Sequence, residues 1–255
     1  MSLRLQGRTA LVTGSTSNIG RAIAVAFAAQ GARVVVSGRD EERGAAVVAQ
    51  IRENGGRADF VRASLDGNAA ASRELAAAAT EVLGRVDVLV NNAGIYPPAS
   101  TATTDEETFD RVYGVNVKAP FFLTQALVPA MIGTGGGVVI NLGSWIARLA
   151  VGSPLYSSTK GAMETMTRAW AAEFGPQGVR VNAISPGVIA SADWDDEIRR
   201  LSDRMMQGSP AGQSGNPDAI AAAAVYLASD ESAFVHGTVI DVDGGRTGVA
   251  VVAGG

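Results

Sequence analysis

The sequence has no cysteine, and His236 is its only histidine. Without cysteine the chain cannot form disulfide bonds, thiolate zinc sites or a thiol nucleophile. One histidine excludes a histidine metal cluster and disfavours a Ser-His-Asp triad, and we interpret His236 as a loop residue before the last predicted strand. The sequence therefore predicts no metal site. Its chemistry must rest on other polar side chains, such as those of Tyr, Lys, Ser and Asn.

An excess of positive charge and long hydrophobic runs are also missing. The chain has 21 Lys and Arg residues against 25 Asp and Glu, for a net charge of −4 and a pI of ≈ 5.1. Such a balance leaves no electrostatic footprint for nucleic acid. No apolar run is long enough to span a bilayer, and residues 1–7 are too short and polar for a secretory signal. We therefore expect a cytoplasmic protein that binds neither nucleic acid nor a membrane.

Apolar strand-like runs alternate regularly with helical stretches along the chain. Its 255 residues suit one α/β domain, 1–255, with an ample core. This alternation predicts a single-domain doubly wound parallel sheet, the Rossmann architecture, with helices on both faces. The predicted strands are 9–13, 34–36, 60–62, 86–90, 138–142, 180–184 and 239–242.

Two helix starts and one irregular segment stand out from this pattern. Thr104 and Glu107 have the spacing of a capping box before a helix. Asn216 followed by Pro217 is typical of an N-cap with proline at the first helical position. Segment 190–215 breaks the alternation, and an excursion of this length is usually functional or disordered. A loosely packed surface helix is the alternative interpretation.

A turn containing glycine joins the first predicted strand to a helix at residues 14–20, which read Gly-Ser-Thr-Ser-Asn-Ile-Gly. In this context the backbone can approach a pyrophosphate, and the helix N-terminus can stabilise its charge. Residues 91–94, Asn-Asn-Ala-Gly, follow a buried strand at the edge where α/β sheets bind ligands. Taken alone, each segment is explained equally well as an ordinary turn.

Three side chains in the middle of the chain are spaced so that they could act on one carbonyl group. Tyr156 and Lys160 are four residues apart and share one face of a helix. A nearby ammonium lowers a tyrosine pKa from about 10, which makes the phenol a usable acid or base nearer neutral pH. Ser144 lies 12 residues before Tyr156, far enough for a loop to fold back.

Together these segments resemble the short-chain dehydrogenase/reductase family over nearly the whole chain. The resemblance implies a Rossmann fold, a nicotinamide cofactor and hydride transfer between that cofactor and a carbonyl or secondary alcohol. It also implies that segment 190–215 is a mobile substrate lid. The matching pieces, in the family's order and spacing, are Thr13-Gly14-x3-Asn18-x-Gly20, Asn91-Asn92-Ala93-Gly94, Asn116, Ser144, Tyr156, Lys160, Pro186-Gly187 and Asp243-Gly244-Gly245.

The resemblance assigns a role to each predicted catalytic residue. Ser144 holds the substrate oxygen and Tyr156 transfers the proton. Lys160 bonds the nicotinamide ribose and lowers the Tyr156 pKa, and Asn116 holds a water that links Lys160 to solvent. Asn116 is explained equally well as a helix-kink residue.

The same resemblance predicts two further sets of residues, one for the cofactor and one for the substrate. The substrate residues could equally be packing residues. The predicted cofactor residues are Gly14, Ser17, Asn18, Ile19, Gly20, Ser37, Arg39, Ser64, Leu65, Asn92, Ala93, Gly94, Tyr156, Lys160, Pro186, Gly187 and Ile189. The predicted substrate residues are Tyr96, Ser144, Trp145, Ile146 and Trp194.

The end of the second predicted strand favours NADP(H) over NAD(H). An NAD site usually ends this strand with an acid that bonds the ribose, whereas a 2′-phosphate favours Arg and no nearby carboxylate. Here Gly38 stands at the acid's position and Arg39 follows it, while Ser37 could add a hydrogen bond. Arg39 as a solvated residue at a helix start, beside Asp40, is the alternative.

Two positions depart from the family pattern. Asn18 stands where the motif has its middle glycine, and Asn is among the residues that best tolerate left-handed backbone after glycine. Ser64 stands where an Asp usually holds the adenine amino group, and it offers a hydroxyl without charge. Both changes bear on cofactor affinity rather than on the fold.

The substrate is less determined than the chemistry. Residues 131–137 and Ala172 provide none of the basic side chains often found there in relatives that reduce acyl chains on an acidic carrier protein. We therefore favour a free ketone, keto-ester or secondary alcohol, while Arg148 keeps a carrier-bound or carboxylate substrate open. Two other classes remain: a nucleotide-binding regulator with little turnover, and an epimerase or dehydratase that retains its cofactor.

Apolar surface predicts a homo-oligomer, and the resemblance to the family implies a homotetramer. Residues 118–131 carry more apolar side chains than one sheet face needs. The alanine-rich helix around 162–172 would let a neighbour approach closely, and the apolar tail 248–253 would be a liability on a monomer. A fraying tail is the alternative.

Overall fold

The centre of the molecule is a parallel sheet. The computed structural model describes residues 3–149, 152–191 and 194–250. Within them, seven strands run in the order β3-β2-β1-β4-β5-β6-β7. The doubly wound parallel sheet predicted from the sequence is therefore confirmed. The strands are β1 Thr9–Val12, β2 Arg33–Gly38, β3 Arg57–Arg62, β4 Val88–Asn91, β5 Gly137–Leu142, β6 Val179–Pro186 and β7 Val239–Val242.

Helices cover both faces of this sheet, because successive strand residues point to opposite sides. Val12 and Ile140 belong to the core under α1, α2 and α8, whereas Leu11 and Val139 belong to the core under α3, α5 and α6. The inner strands are buried on both faces, as the continuous apolar runs indicated, whereas the edge strands β3 and β7 are mostly half-buried. The helices are α1 Asn18–Ala29, α2 Glu41–Glu53, α3 Ala69–Leu83, α4 Glu106–Tyr113, α5 Ala119–Gly133, α6 Pro154–Phe174, α7 Asp196–Met206 and α8 Pro217–Ala228.

One of the two predicted helix starts is confirmed and the other is wrong by one residue. Asn216 caps α8, its side chain accepting from the Asp218 N–H at 2.9 Å, and Pro217 follows at the first helical position. At α4 the cap is Asp105, which accepts from the Thr108 N–H at 2.7 Å. The Thr104 hydroxyl is already used, since it donates to the Ser100 carbonyl at 2.6 Å.

A π turn, Gly114–Lys118, joins α4 to α5, so the chain is helical from Glu106 to Gly133. By length and composition alone this helix could cross a membrane. Leu123, Leu127 and Met131 of this helix are buried under the sheet, however, so the packing of the fold explains part of its apolar character.

The predicted lid begins and ends at one point of the structure. Ile189 and Gly215 form an isolated parallel bridge, and the Ala190 N–H donates to the Gly215 carbonyl at 2.9 Å. Helix α7 lies inside the segment, capped by Asp195. Residues 192–193 of the segment, and 251–253 of the predicted apolar tail, lie outside the described residues.

Candidate active site

The predicted site residues gather at the carboxyl ends of β1, β4, β5 and β6. The strand order reverses between β1 and β4, and ligands of open α/β sheets bind in the crevice at such a switch point. The loops after β1 and β4 are bonded to each other there. The Thr13 hydroxyl accepts from the N–H groups of Asn92 and Ala93, each at 3.0 Å, and the Asn92 amide donates to the Thr13 and Gly14 carbonyls.

Two glycines in the turn after β1 are required by this close approach. A Cβ on Gly20 would lie 2.3 Å from the Gly14 carbonyl oxygen, and a Cβ on Gly14 would lie 2.9 Å from the Ala93 Cα. Asn18 adopts the left-handed backbone expected of it, with φ of 41°. The turn therefore keeps the shape that a pyrophosphate-binding turn needs, although Asn replaces glycine.

Thr16 packs against the end of β2, although it was not predicted from the sequence as a site residue. A Cβ on Gly38 would lie 2.6 Å from the Thr16 methyl carbon, so Thr16 fills the space beside this glycine. Arg39 is exposed beyond it. Thr16 and Ser17 also line a groove of about 830 Å³ together with Arg43 of α2. Only the structure brings Thr16 to Gly38, because 22 residues separate them in the chain.

One predicted cofactor residue is almost fully buried. Ser37 is 1% exposed, and its N–H donates to the Ser15 hydroxyl at 2.9 Å. The backbone of Ser37 therefore supports the turn after β1, and its contact with the cofactor stays a prediction. Ser64 is exposed and Leu65 is half-buried, both just past the end of β3.

Ser144, Tyr156 and Lys160 come together from two elements. Ser144 follows β5 and caps the short 3-10 turn Trp145–Ala147, while Tyr156 and Lys160 lie on consecutive turns of α6. The Ser144 side chain lies near the Tyr156 phenol. The Lys160 ammonium donates to the Leu142 carbonyl at 2.8 Å and lies 5.6 Å from the Tyr156 ring centroid. The loop folds back as its length predicted.

The electrostatics of this group differ from the expectation that Lys160 lowers the Tyr156 pKa. Burial raises the pKa of Tyr156 to about 12, the Ser144 side chain opposes the rise, and Tyr96 adds to it. Burial also lowers the pKa of Lys160 to about 8. Desolvation therefore outweighs charge attraction here, because both groups are removed from water and the ammonium bonds a backbone carbonyl instead of the phenol.

Asn116 lies in the π turn and connects two parts of the site. Its amide accepts from the Ile95 N–H at 2.8 Å and donates to the Ile95 carbonyl at 3.0 Å and the Thr159 hydroxyl at 3.2 Å. Gly94 lies between Asn116 and Lys160, since a Cβ there would be 3.4 Å from the Asn116 amide oxygen and 3.7 Å from the Lys160 ammonium. Asn116 therefore lies in the distorted part of the helix and also near Lys160, so the two interpretations of this residue are compatible.

The predicted substrate residues differ widely in what they offer a ligand. Tyr96 is 61% exposed and packs against Tyr156, with ring centroids 4.6 Å apart. Trp145 and Ile146 are buried and pack inside the protein, so they offer a ligand little surface. Trp194 is half-buried, and its N–H donates to the Ser191 carbonyl at 3.2 Å.

The loop after β6 completes the crevice. Pro186 ends the strand, and a Cβ on Gly187 would lie 2.6 Å from the Asp243 Cα. Ile189 is buried next to the start of the predicted lid. These three predicted cofactor residues therefore lie on the β6 side of the site, opposite the glycine turn after β1.

Comparisons with known proteins agree with this geometry. A family model described as enoyl-(acyl carrier protein) reductase matches residues 14–247. A solved structure of a short-chain dehydrogenase/reductase family protein is 42% identical, with a TM-score of 0.87, over 96% of this chain and 100% of the other. The chain belongs to the short-chain dehydrogenase/reductase family. Enzymes of this family use NAD(P), and the chain is an oxidoreductase.

Its relatives act on different substrates. A galactitol 2-dehydrogenase (L-tagatose-forming) of Cereibacter sphaeroides is 38% identical over 96% of both chains. A 3-oxoacyl-(acyl-carrier-protein) reductase of Thermotoga maritima is 34% identical over 95% of this chain and 99% of the relative. The crystal structure of a gluconate 5-dehydrogenase from Burkholderia cenocepacia, in complex with NADP and tartrate, is 33% identical with a TM-score of 0.88, over 98% of both chains.

Proposed function

We propose that the protein transfers a hydride between NADP(H) and a free ketone, keto-ester or secondary alcohol. The observation that carries this proposal is the juxtaposition of Ser144 and Tyr156 beside the buried Lys160. A protein that only bound a nucleotide would have no need of these three groups together. The protein is proposed to work in the cytoplasm.

The residues of the crevice suit a dinucleotide. Gly14 and Gly20 stand where a Cβ would collide with neighbouring backbone, and the N-terminus of α1, at Asn18, favours a pyrophosphate. The bound cofactor supplies the hydride. Asn92, Ala93 and Gly94 would line its riboses, as would Tyr156 and Lys160, and the loop of Pro186, Gly187 and Ile189 would close the other side.

The chain's own part in the reaction is to hold the substrate oxygen and to control one proton. The Ser144 hydroxyl donates a hydrogen bond to the carbonyl oxygen, and the Tyr156 phenol donates a proton to that oxygen as the carbonyl becomes an alcohol. A phenol with a pKa of about 12 stays protonated at neutral pH, so the free enzyme is ready to act as an acid. Asn116 is proposed to hold the water that links Lys160 to solvent.

The proposal of NADP(H) is supported by the end of β2. Gly38 places no carboxylate there, and Arg39 is exposed beside it. Arg43 lines the adjoining groove with Thr16 and Ser17, although it also lies 3.4 Å from Asp40. A guanidinium and hydroxyls suit a 2′-phosphate better than a bare ribose. NADP is also the cofactor in the similar gluconate 5-dehydrogenase structure.

A carrier-linked 3-oxoacyl reductase is the second candidate. It is supported by the description of the matching family model and by the Thermotoga maritima relative. The absence of basic residues at 131–137 and at Ala172 opposes it, because an acidic carrier would meet no complementary charge there. A regulator or a cofactor-retaining epimerase would show no net consumption of NADPH.

We also propose that the protein assembles as a homotetramer. Phe121 on α5 is 41% exposed and lies 5.9 Å, centroid to centroid, from Trp170 of α6. Strand β7 ends the sheet with half-buried Val239, Ile240 and Val242. Apolar side chains on two adjacent helices and along one sheet edge are suited to contacts between identical subunits.

The deciding experiment follows NADPH consumption with a panel of carbonyl compounds. The panel should contain aliphatic ketones, keto-esters, ketoses, keto acids and a carrier-linked 3-oxoacyl chain. Turnover of a free carbonyl compound that disappears in Tyr156→Phe supports the proposal. Tyr113→Phe is the matched control, since that phenol donates only to the Ser158 hydroxyl at 2.9 Å. Binding of NADPH without consumption across the panel would refute the proposal.

A further inference from the structure

An arginine next to the catalytic loop forms ion pairs with carboxylates on two other elements near the site. Arg148 directly follows the 3-10 turn that Ser144 caps. Its Nη1 donates to the Asp241 carboxylate at 2.6 Å, and its Nε lies 3.4 Å from both carboxylate oxygens of Glu164. The open possibility that Arg148 holds a substrate carboxylate is thus opposed by the structure, where the guanidinium is already engaged.

Both partners of Arg148 belong to elements that carry predicted site residues. Glu164 lies on α6 one turn beyond Lys160 and two turns beyond Tyr156, on the same helix face. Asp241 lies on β7 in register with Ser185, just before Pro186 and Gly187. Arg148 therefore connects the Ser144 loop both to the catalytic helix and to the sheet edge beside the cofactor loop.

The Glu164 carboxylate depends on this arginine for its charge balance. Glu164 is 6% exposed, and its Oε1 has no hydrogen-bond partner of good geometry. Among the described residues, the other cation paired with it is Arg168, at 3.9 Å. A buried carboxylate that loses its cation is strongly unfavourable, so the loop bearing Arg148 is held against α6 by a contact that the protein cannot give up without a large cost.

Other contacts also hold this loop. The Gly143 N–H donates to the Ile184 carbonyl at 2.8 Å, and Trp145 and Ile146 are buried. A Cβ on Gly143 would make only ordinary contacts, the nearest at 3.4 Å from the Ile184 carbonyl oxygen. The two ion pairs of Arg148 add to these contacts by joining the end of the loop to α6 and β7.

We propose that Arg148 is a positioning residue, which fixes Ser144 against Tyr156 through its ion pairs with Glu164 and Asp241. The inference rests on the proposed carbonyl reduction, in which Ser144 must hold the oxygen that Tyr156 protonates. Displacement of a positioned group by about 1 Å can cost about 10²-fold in rate. Arg148 acts on the reaction only through Ser144, and it touches neither substrate nor cofactor.

The test compares Arg148→Met with Arg33→Met. Arg33 pairs with Asp59 at 2.9 Å, and the side-chain exposures, 38% and 31%, nearly equal the 38% and 33% of Arg148 and Asp241. Arg33 begins β2, at the end of the sheet away from the site. We expect Arg148→Met to lower kcat for a neutral ketone by about 10- to 10²-fold, with its KM much less changed, and Arg33→Met to leave both unchanged.

The double variant Arg148→Met with Glu164→Gln separates positioning from stability. It removes the uncompensated carboxylate, so the melting temperature should recover while kcat stays low. Recovery of kcat together with the melting temperature would overturn the proposal, as would a loss confined to the KM of keto acids. If Arg148→Met fails to fold, the double variant and Arg148→Lys serve in its place.

Hydrogen exchange gives a readout that needs no substrate. Amides of residues 145–149 should exchange faster in Arg148→Met than in the unchanged protein, and at the unchanged rate in Arg33→Met. Equal protection in both variants would overturn the proposal. An unchanged protein that consumes no NADPH would refute the proposed function instead, whereas exchange would still decide the role of Arg148.

Discussion

Because Lys160 is buried, we expect the free energy of unfolding to rise with pH in the alkaline range, whereas a surface lysine in an ion pair would make it fall. Burial lowers its pKa from 10.5 to about 8. Below pH 8 the folded protein carries a desolvated ammonium, and between pH 8 and pH 10.5 it releases the proton while the unfolded chain keeps it. The unfolded state then binds more protons, so stability rises with pH across this window.

The size of the effect follows from the two pKa values. Each pKa unit is worth about 1.4 kcal/mol, so the complete difference is about 3 kcal/mol. Between pH 7 and pH 9.5, where denaturation is easily measured, the linkage relation gives about 2 kcal/mol. This is a large fraction of a typical unfolding free energy of about 5–15 kcal/mol.

The assay is urea denaturation of the unchanged protein and of Lys160→Met at a series of pH values. Other titrating groups are common to both proteins, so the difference between their unfolding free energies isolates Lys160. That difference should move in favour of the unchanged protein by about 2 kcal/mol from pH 7 to pH 9.5. Lys118→Met is the matched control, because Lys118 is exposed and stays hydrated on folding.

A difference that does not vary with pH would refute the reasoning. It would mean that the ammonium is paired or hydrated strongly enough to cancel its burial, and the 2.8 Å bond to the Leu142 carbonyl would then be worth more than supposed.

Three further predictions concern activity and assembly. Tyr156→Phe should lower kcat by about 10²–10⁴-fold with cofactor affinity nearly unchanged, because only the proton donor is lost; a variant that keeps most of its kcat would contradict the assignment. Gly38→Asp with Arg39→Leu should cost about 1.5–3 kcal/mol of NADP affinity through the lost charged bond, and adding Thr16→Ala should improve NAD use further by making room for the acid; equal kcat/KM for both cofactors in the unchanged protein would show that β2 does not select. Light scattering at micromolar concentration should give about four times the 26.0 kDa of one chain, and a mass near one chain would reject the assembly.

The fold could be predicted because its signals are local and repeated. Continuous apolar runs mark strands buried on both faces, and glycine turns mark where each strand of the crevice ends. Tyr156 and Lys160 were found for the same reason, since a spacing of four places them on one helix face before any tertiary contact is known.

Burial and distant contacts are what the sequence concealed. The sequence does not show that Ser37, at the end of β2, is buried. The Tyr156 pKa likewise depends on how far packing removes the phenol from water. The pairing of Arg148 with Glu164 and Asp241 joins residues up to 93 positions apart. Thr104 lost its predicted capping role to a neighbour because Ser100 bonds its hydroxyl. None of these outcomes has a signature in spacing alone.

The contact of Thr16 with the bare α-carbon of Gly38 constrains how cofactor preference can change over time. An acid introduced at position 38 alone meets the Thr16 methyl at 2.6 Å before it can reach a ribose. The benefit of that substitution therefore depends on what stands at position 16, although each change is small by itself. A lineage moving from one dinucleotide to the other would therefore gain more from an acid at position 38 once residue 16 has been shrunk or turned.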